Sequence, residues 1–328
     1  MCGPAGALQE MEMAMVQFIV RADDPEIPPP YDFPNMSIMS FRLAANVANL
    51  QNLCDQLLNI GSLSRRGFEY RAVAGFVDMD IVTYPKMLFD HAPYSGWGFA
   101  SQQELYFRFL IWKHEPIPGT GVLFPADIPE WTFPFIFVDN SWSMISGRNV
   151  IGFPKVMAQF YPTPVHDPSP FDITVSALAL KTYSTATQLD WQPIVEIKPD
   201  KGTSSPARGN WPWIGLDGLV FPTLEPYLEA FLATVPTAFS SVGLKQFRDA
   251  PSLTNACYQA VVATHFAPYG IGTPTPLPAA TVKVKQYASL DIPGSLGFAA
   301  NTPLQPILQY AVTLSMRAPG ATNLFVNS

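Results

Sequence analysis

Proline constrains this chain more than any other residue. It fills 34 of 328 positions, roughly twice the usual share of about 5%. Each proline removes a backbone donor and clashes with the preceding helical turn, so long helices do not survive such a density. A β-rich fold with many irregular connections does. The patterned segments agree. Thr281–Tyr287 alternates Val with Lys at the period of two expected of a half-buried strand. Phe171–Leu180, Leu105–Trp112 and Tyr310–Met316 are rich in branched, aromatic and apolar residues, and Gly75–Val82 and Phe135–Val138 are shorter strand candidates.

Helical signals are few. Ala45–Asn59 places Val47, Leu50, Leu53, Cys54 and Leu57 on one stripe. Leu224–Thr234 is a second candidate, bracketed by Pro222 and Pro236. Lys198–Trp213, Tyr161–Ser169 and Gly270–Pro278 have loop composition, and the bare Gly-x-Gly pairs at Gly119–Gly121 and Gly270–Gly272 are best taken as turns. The same strand-like texture resumes after each loop, and no internal repeat is present. The expectation is one α+β domain, β-dominated, with an antiparallel sheet closed into a barrel or cone and a few flanking helices. Residues 1–30 form an N-terminal arm, in which alternating Met11, Met13 and Met15 suit an edge strand or a packing surface, and residues 198–213 form a long loop insertion.

Composition narrows the function classes. Hydrophobic residues make up 48% and charged residues 14%, against about 25% charged in an ordinary soluble domain. Extensive self-burial, including subunit contacts, and a large apolar ligand cavity both fit. The net charge is −7 and no Lys/Arg-rich run occurs, so no nucleic-acid partner and no anionic membrane surface is expected. Cys2, Cys54 and Cys257 are far apart with no Cys-x-x-Cys spacing, and His91, His114, His166 and His265 are scattered. Neither a disulfide framework nor a metal site follows, and a reducing, cytoplasmic compartment fits. The apolar run Ala14–Val20 follows Glu10 and Glu12 and is too short for a membrane span, so neither a secretory signal nor a transmembrane helix is expected.

The chain lacks a nucleophile elbow, a His-Glu-x-x-His helix, a Walker loop and a complete dinucleotide fingerprint. Its informative stretch is Val138–Lys155, VDNSWSMISGRNVIGFPK. Asp139-Asn140, then Gly147-Arg148, then Gly152-Phe153-Pro154-Lys155 resembles the signature of the acetoacetate decarboxylase family, tightly over residues 138–156. Looser likeness extends to Phe41-Arg42, Val242–Asp249, Tyr258–Val262 and Tyr310–Phe325. The resemblance implies a cofactor-independent carbon–carbon lyase in which Lys155 forms a Schiff base with a small keto acid or keto ester, in a homo-oligomer. Arg148 and Glu104 are the further catalytic candidates it implies.

A lysine amine attacks a carbonyl only when neutral, and an ordinary pKa of about 10.4 keeps it protonated at neutral pH. Apolar burial or a cationic neighbour shifts that balance, as established for acetoacetate decarboxylase. Val150, Ile151, Phe153, Val156 and Met157 supply apolar neighbours in sequence. The chain departs from the family pattern at three places. Val156 stands where many members carry a second lysine, Asn149 replaces the glutamate of a Gly-Arg-Glu triplet, and Pro34 falls near the position of an N-terminal arginine. The family's mid-chain glutamate falls near Phe99–Glu104. These departures keep two further readings open, aldolase-dehydratase or cyclising chemistry on the same lysine, and a non-catalytic barrel for an apolar ligand. Residue by residue, the alternatives are a solvated loop lysine for Lys155, a structural carbonyl clamp for Arg148 and a surface carboxylate for Glu104.

Overall fold

The computed structural model describes residues 18–21, 25–120, 122–126, 128–162, 172–200, 239–252 and 254–327. The expected helix at Leu224–Thr234, the alternating methionines and nearly all of the loop after Lys198 lie outside these. In chain order the elements are β1 (Tyr31–Ala44), α1 (Val47–Leu57), α2 (Leu63–Arg66), β2 (Glu69–Ala72), β3 (Phe76–Phe89), β4 (Phe99–Pro116), β5 (Leu123–Pro125) and β6 (Glu130–Val138). There follow α3 (Ser141–Asn149), β7 (Lys155–Tyr161), β8 (Ile173–Ala179), β9 (Asp190–Pro199), β10 (Phe239–Arg248) and β11 (Ala256–Ile271). The last are β12 (Thr275–Pro276), β13 (Ala280–Val284), α4 (Ile292–Leu296), β14 (Pro303–Leu304) and β15 (Leu308–Val326).

Seven strands close on themselves in the order β6-β10-β11-β15-β1-β3-β4, the ring being completed by β4 pairing with β6. All of these pairings are antiparallel except β10 with β6, so the barrel is mixed where a purely antiparallel sheet was expected. A second sheet, β7-β8-β9-β13-β14, leaves the ring from β6. The point of departure is specific. Trp131 and Thr132 pair with β10, whereas Ile136–Val138 pair in parallel with Lys155–Met157 of β7. One edge of β6 therefore serves two partners, and Lys155 begins β7 where the second sheet peels away.

The prolines explain how strands this long bend into a ring. Pro34, Pro85, Pro134, Pro193, Pro268 and Pro319 all lie inside strands, and each sits at a break in pairing register. A bulge releases the donor that proline lacks and sharpens the local twist. The density that excludes long helices thus supplies the bends of a closed sheet. The helix expected at Ala45–Asn59 is α1, capped by the Asn46 side chain accepting from Ala48 N, with Leu50, Leu53 and Cys54 buried and Val47 exposed. Part of the expected loop at Gly270–Pro278 is strand, because β11 runs to Ile271 and Thr275-Pro276 pair with β15. Among the described residues no helix is long and apolar enough to cross a membrane.

Two apolar clusters divide the faces of the ring strands. On β4, Leu105, Phe107, Phe109 and Ile111 face a core shared with α1 and the second sheet. Their alternates Gln102, Glu104, Tyr106 and Arg108 line the barrel interior, following the two-residue period of a strand. The interior also holds a buried charge cluster. Arg42 donates from Nε and Nη2 to the two carboxylate oxygens of Asp78 at 2.7 and 2.9 Å, and Arg108 Nε donates to Asp80 at 2.7 Å. Burial opposes the charge of Asp78, but the Arg42 fork outweighs it and holds the carboxyl below its ordinary range. Asp78→Asn is expected to lower stability by about 3–5 kcal/mol, because it strips a buried guanidinium of its charged partner. Glu69→Gln, at the exposed pair with Arg71, is expected to cost less than about 1 kcal/mol. Denaturant unfolding of the two variants checks the contrast.

Candidate active site

The segment Asp139–Lys155 builds one end of the barrel cavity, and each residue of its motif has a mechanical task. Asp139 Oδ1 accepts from Gln103 N at 2.8 Å, which locks β4 to the end of β6. Asn140 caps α3, its Oδ1 accepting from Trp142 N and Ser143 N at 3.0 and 3.1 Å. That bond satisfies donors that a helix start leaves open. The buried face of α3 is made of small residues, Ser143, Ser146 and Gly147. Gly147 is small out of necessity, since a Cβ there would lie 2.6 Å from Lys155 Cδ and 2.8 Å from its Cε. The lysine stem therefore runs directly beneath the helix.

The chain then turns back through Gly152, whose φ of +76° is strained for any side chain and whose Cα faces the Lys245 backbone. Phe153 N donates to Gly147 O at 2.9 Å, and Arg148 Nη1 donates to Lys155 O at 3.0 Å. Lys155 enters β7 with its side chain inward, only 7% exposed. Its Nζ donates to Glu104 Oε2 at 2.8 Å and to Ser143 Oγ at 2.9 Å. Glu104, 4% exposed, also accepts from Gln102 Nε2 at 3.2 Å on the same oxygen. Tyr84 also lines the cavity, and burial first, then the Glu104 carboxylate, pushes its phenol far above the usual range.

These groups open onto a cavity of about 120 Å³. Its wall is chiefly apolar and aromatic, including Met36, Ile38, Phe133, Ile136, Val312 and Leu314. Arg108 lies further along the same face of β4 and is stacked 4.1 Å over the Trp131 ring. Burial opposes its charge, but Asp80 leads the groups that outweigh this and keep the guanidinium firmly protonated. The segment before β1 seals one side. Ile27, fully buried, lines the cavity, and Ile27 N donates to Ser146 Oγ at 3.0 Å. Asn149 Nδ2 donates to Glu26 Oε2 at 2.7 Å, which fastens this segment to α3.

The structure thus brings Lys155 and Glu104 into contact. Arg148 holds the lysine's backbone carbonyl and is not among the residues lining the cavity. Val156 points the other way along β7 and is 38% exposed, so a lysine at that position does not face the Lys155 amine. Pro34 occupies a bulge of β1 and contributes no cation. Sequence reasoning missed Ser143, Gln102, Tyr84 and Arg108. The period-two run Gln102, Glu104, Tyr106, Arg108 carried the signal for β4, and the small residues Ser143, Ser146 and Gly147 at helical spacing carried it for α3. Among the described residues no group of three or more His, Cys, Asp or Glu is placed to hold a metal ion.

By sequence the chain matches no family model and no curated protein. By structure it matches an acetoacetate decarboxylase from Legionella pneumophila with a TM-score of 0.54 at 12% identity, covering 99% of this chain and 98% of that one. The chain has the acetoacetate decarboxylase fold. An acetoacetate decarboxylase-like enzyme from Sphingomonas wittichii gives a TM-score of 0.56 at 11% identity, over 96% of this chain and 100% of that one. Within this fold the lysine tunnel under α3 is a packing constraint that can be tested directly. Gly147→Ala is expected to cost about 1–3 kcal/mol through overpacking against the Lys155 stem. Gly96→Ala, at a position with nothing within 4 Å of the added carbon, is expected to be tolerated. Thermal and denaturant unfolding of both variants checks this.

Proposed function

We propose that this protein is a carbon–carbon lyase that decarboxylates a β-keto acid through an imine on Lys155. The observation that carries the reading is the Lys155 amine, buried at an apolar cavity with the Glu104 carboxylate at 2.8 Å. An attacking amine must first lose a proton, and Glu104 is within direct reach to take it. The neutral nitrogen then adds to the ketone carbon. Loss of the former carbonyl oxygen as water leaves an iminium, and Glu104 can return the proton that water carries away. The iminium draws in the electron pair of the bond to the carboxylate, and carbon dioxide leaves. The resulting enamine takes a proton at carbon, and water releases the ketone and the free lysine.

The surroundings favour this sequence. Ser143 Oγ accepts a second hydrogen bond from the amine at 2.9 Å, and Gly147 leaves room for the lysine stem beneath α3. Arg148 acts here as a positioning residue through the Lys155 carbonyl. The apolar wall disfavours the ionised carboxylate relative to neutral carbon dioxide. The same iminium supports aldol addition and dehydration, and an aromatic-lined cavity suits substrates with a larger apolar body, which makes an aldolase-dehydratase or cyclising enzyme the second reading. A homo-oligomer acting on a keto acid or keto ester in the cytoplasm, without a cofactor, completes the proposal.

Borohydride reduction in the presence of β-keto acids is expected to label Lys155 and no other lysine, read by peptide mass spectrometry. Lys155→Ala abolishes the label. Glu104→Gln is expected to slow turnover by about 10²–10⁴-fold. Release of carbon dioxide alongside the product's mass separates the two readings. Absence of any label at Lys155 across a panel of keto compounds, with cellular activity intact in Lys155→Ala, favours a non-catalytic binding barrel instead.

A further inference from the structure

Gln102 precedes Glu104 by two residues on β4, so both side chains leave the same face of the strand. It lines the cavity and is 4% exposed. Its Nε2 donates to Glu104 Oε2 at 3.2 Å, the oxygen that also receives Lys155 Nζ at 2.8 Å. An ionised carboxylate only accepts, so this contact turns the amide nitrogen toward Glu104 and its oxygen away. Among the described residues Gln102 Oε1 is buried without a hydrogen-bond partner. An amide oxygen buried in that state costs free energy that a donor on a ligand recovers.

We propose that Gln102 is a specificity-determining residue whose Oε1 accepts a hydrogen bond from a hydroxyl or N–H carried by the substrate near its carbonyl. This deepens the reading of Lys155 as the imine-forming residue and rests on it. The two groups share one oxygen of Glu104, so a carbonyl carbon bonded to Nζ brings its nearby substituents toward the amide. The wall beyond is apolar, with Met36, Ile38, Val312 and Leu314 facing the same space. The substrate class is therefore a hydroxylated or acylamino ketone or keto acid with an apolar body. A plain alkyl keto acid brings no donor to Gln102 and leaves the amide oxygen unpaired in the complex. A site built to bond a substrate hydroxyl rejects an analogue that lacks it far more strongly than an apolar pocket rejects one extra methylene.

The test compares hydroxymethyl phenethyl ketone with methyl phenethyl ketone on the full chain, each trapped by borohydride, with the Lys155 adduct counted by mass spectrometry. Each labelling rate is divided by the rate of the same ketone with free butylamine, which removes intrinsic carbonyl reactivity. The normalised preference for the hydroxymethyl ketone is expected to be at least about tenfold in the wild type and to fall to about one in Gln102→Met. Gln102→Leu gives the same readout should the methionine variant not fold. A wild-type preference near one, or a preference unchanged in both variants, overturns the role of Gln102 while leaving the imine at Lys155 standing. Failure of both ketones to label wild-type Lys155 overturns the imine reading, and the role of Gln102 with it.

Discussion

An amine buried in an apolar wall must have a partner, and that requirement organises one end of this molecule. Taking away one half of a buried ion pair costs about 3–5 kcal/mol, a large part of the stability of an ordinary domain. Lys155 can therefore lie where it does only if Glu104 arrives at the same point from a different strand. The register that delivers it is pinned twice, by Glu104 pairing across to Val138 and by Asp139 accepting from Gln103 N at 2.8 Å. On the other side the lysine is fixed by Ile136 opposite Lys155 in the parallel pair, by Arg148 on its carbonyl and by the missing side chain of Gly147 above its stem. The pair is thus less a pairwise attraction than the meeting point of β4, β6, β7 and α3.

The place of the lysine follows from the branching of the sheet. β6 gives its first half to β10 and its last residues to β7, which leaves a seam where the barrel wall changes partner. The turn around Gly152 fills that seam. Gly243 on β10 faces it, and a Cβ at Gly243 would lie 3.0 Å from Gly152 O. Two glycines from distant parts of the chain are needed for the backbone to pass at this distance. The same seam admits the side chain of Lys155 into the barrel, where an unbroken ring of pairing would have set another strand.

The β-rich architecture was legible because proline density and strand periodicity are local properties. Closure of the ring was legible only as a tendency, since it depends on where the bulges fall, and a proline's position shows its register break only once its partner strand is known. Within the site, the motif around Lys155 was readable because Asp139, Asn140, Gly147, Gly152 and Lys155 lie close in sequence and act locally. Glu104 was harder to place. It lies 51 residues from Lys155, and a carboxylate at a strand start looks the same on the surface as at the mouth of a cavity. Gln102 and Arg108 were invisible for a related reason. Polar residues alternating with Leu105, Phe107 and Phe109 suggest a solvated face in most strands, whereas here the polar face turns inward and the apolar face meets a second sheet.

Two departures from the family pattern lie away from the Lys155 amine. Asn149 stands where a glutamate was expected, and its amide fastens Glu26 and the segment that closes the cavity. Val156 stands where a second lysine was expected, but the two-residue period of β7 sends it outward. Neither position meets the Lys155 amine, so neither substitution removes a group that this arrangement places against the nitrogen. The amine is governed by what converges on it, namely Glu104, Ser143 and the apolar wall. The geometry of the site rests on two strand registers, one helix cap and the absence of side chains at Gly147 and Gly152.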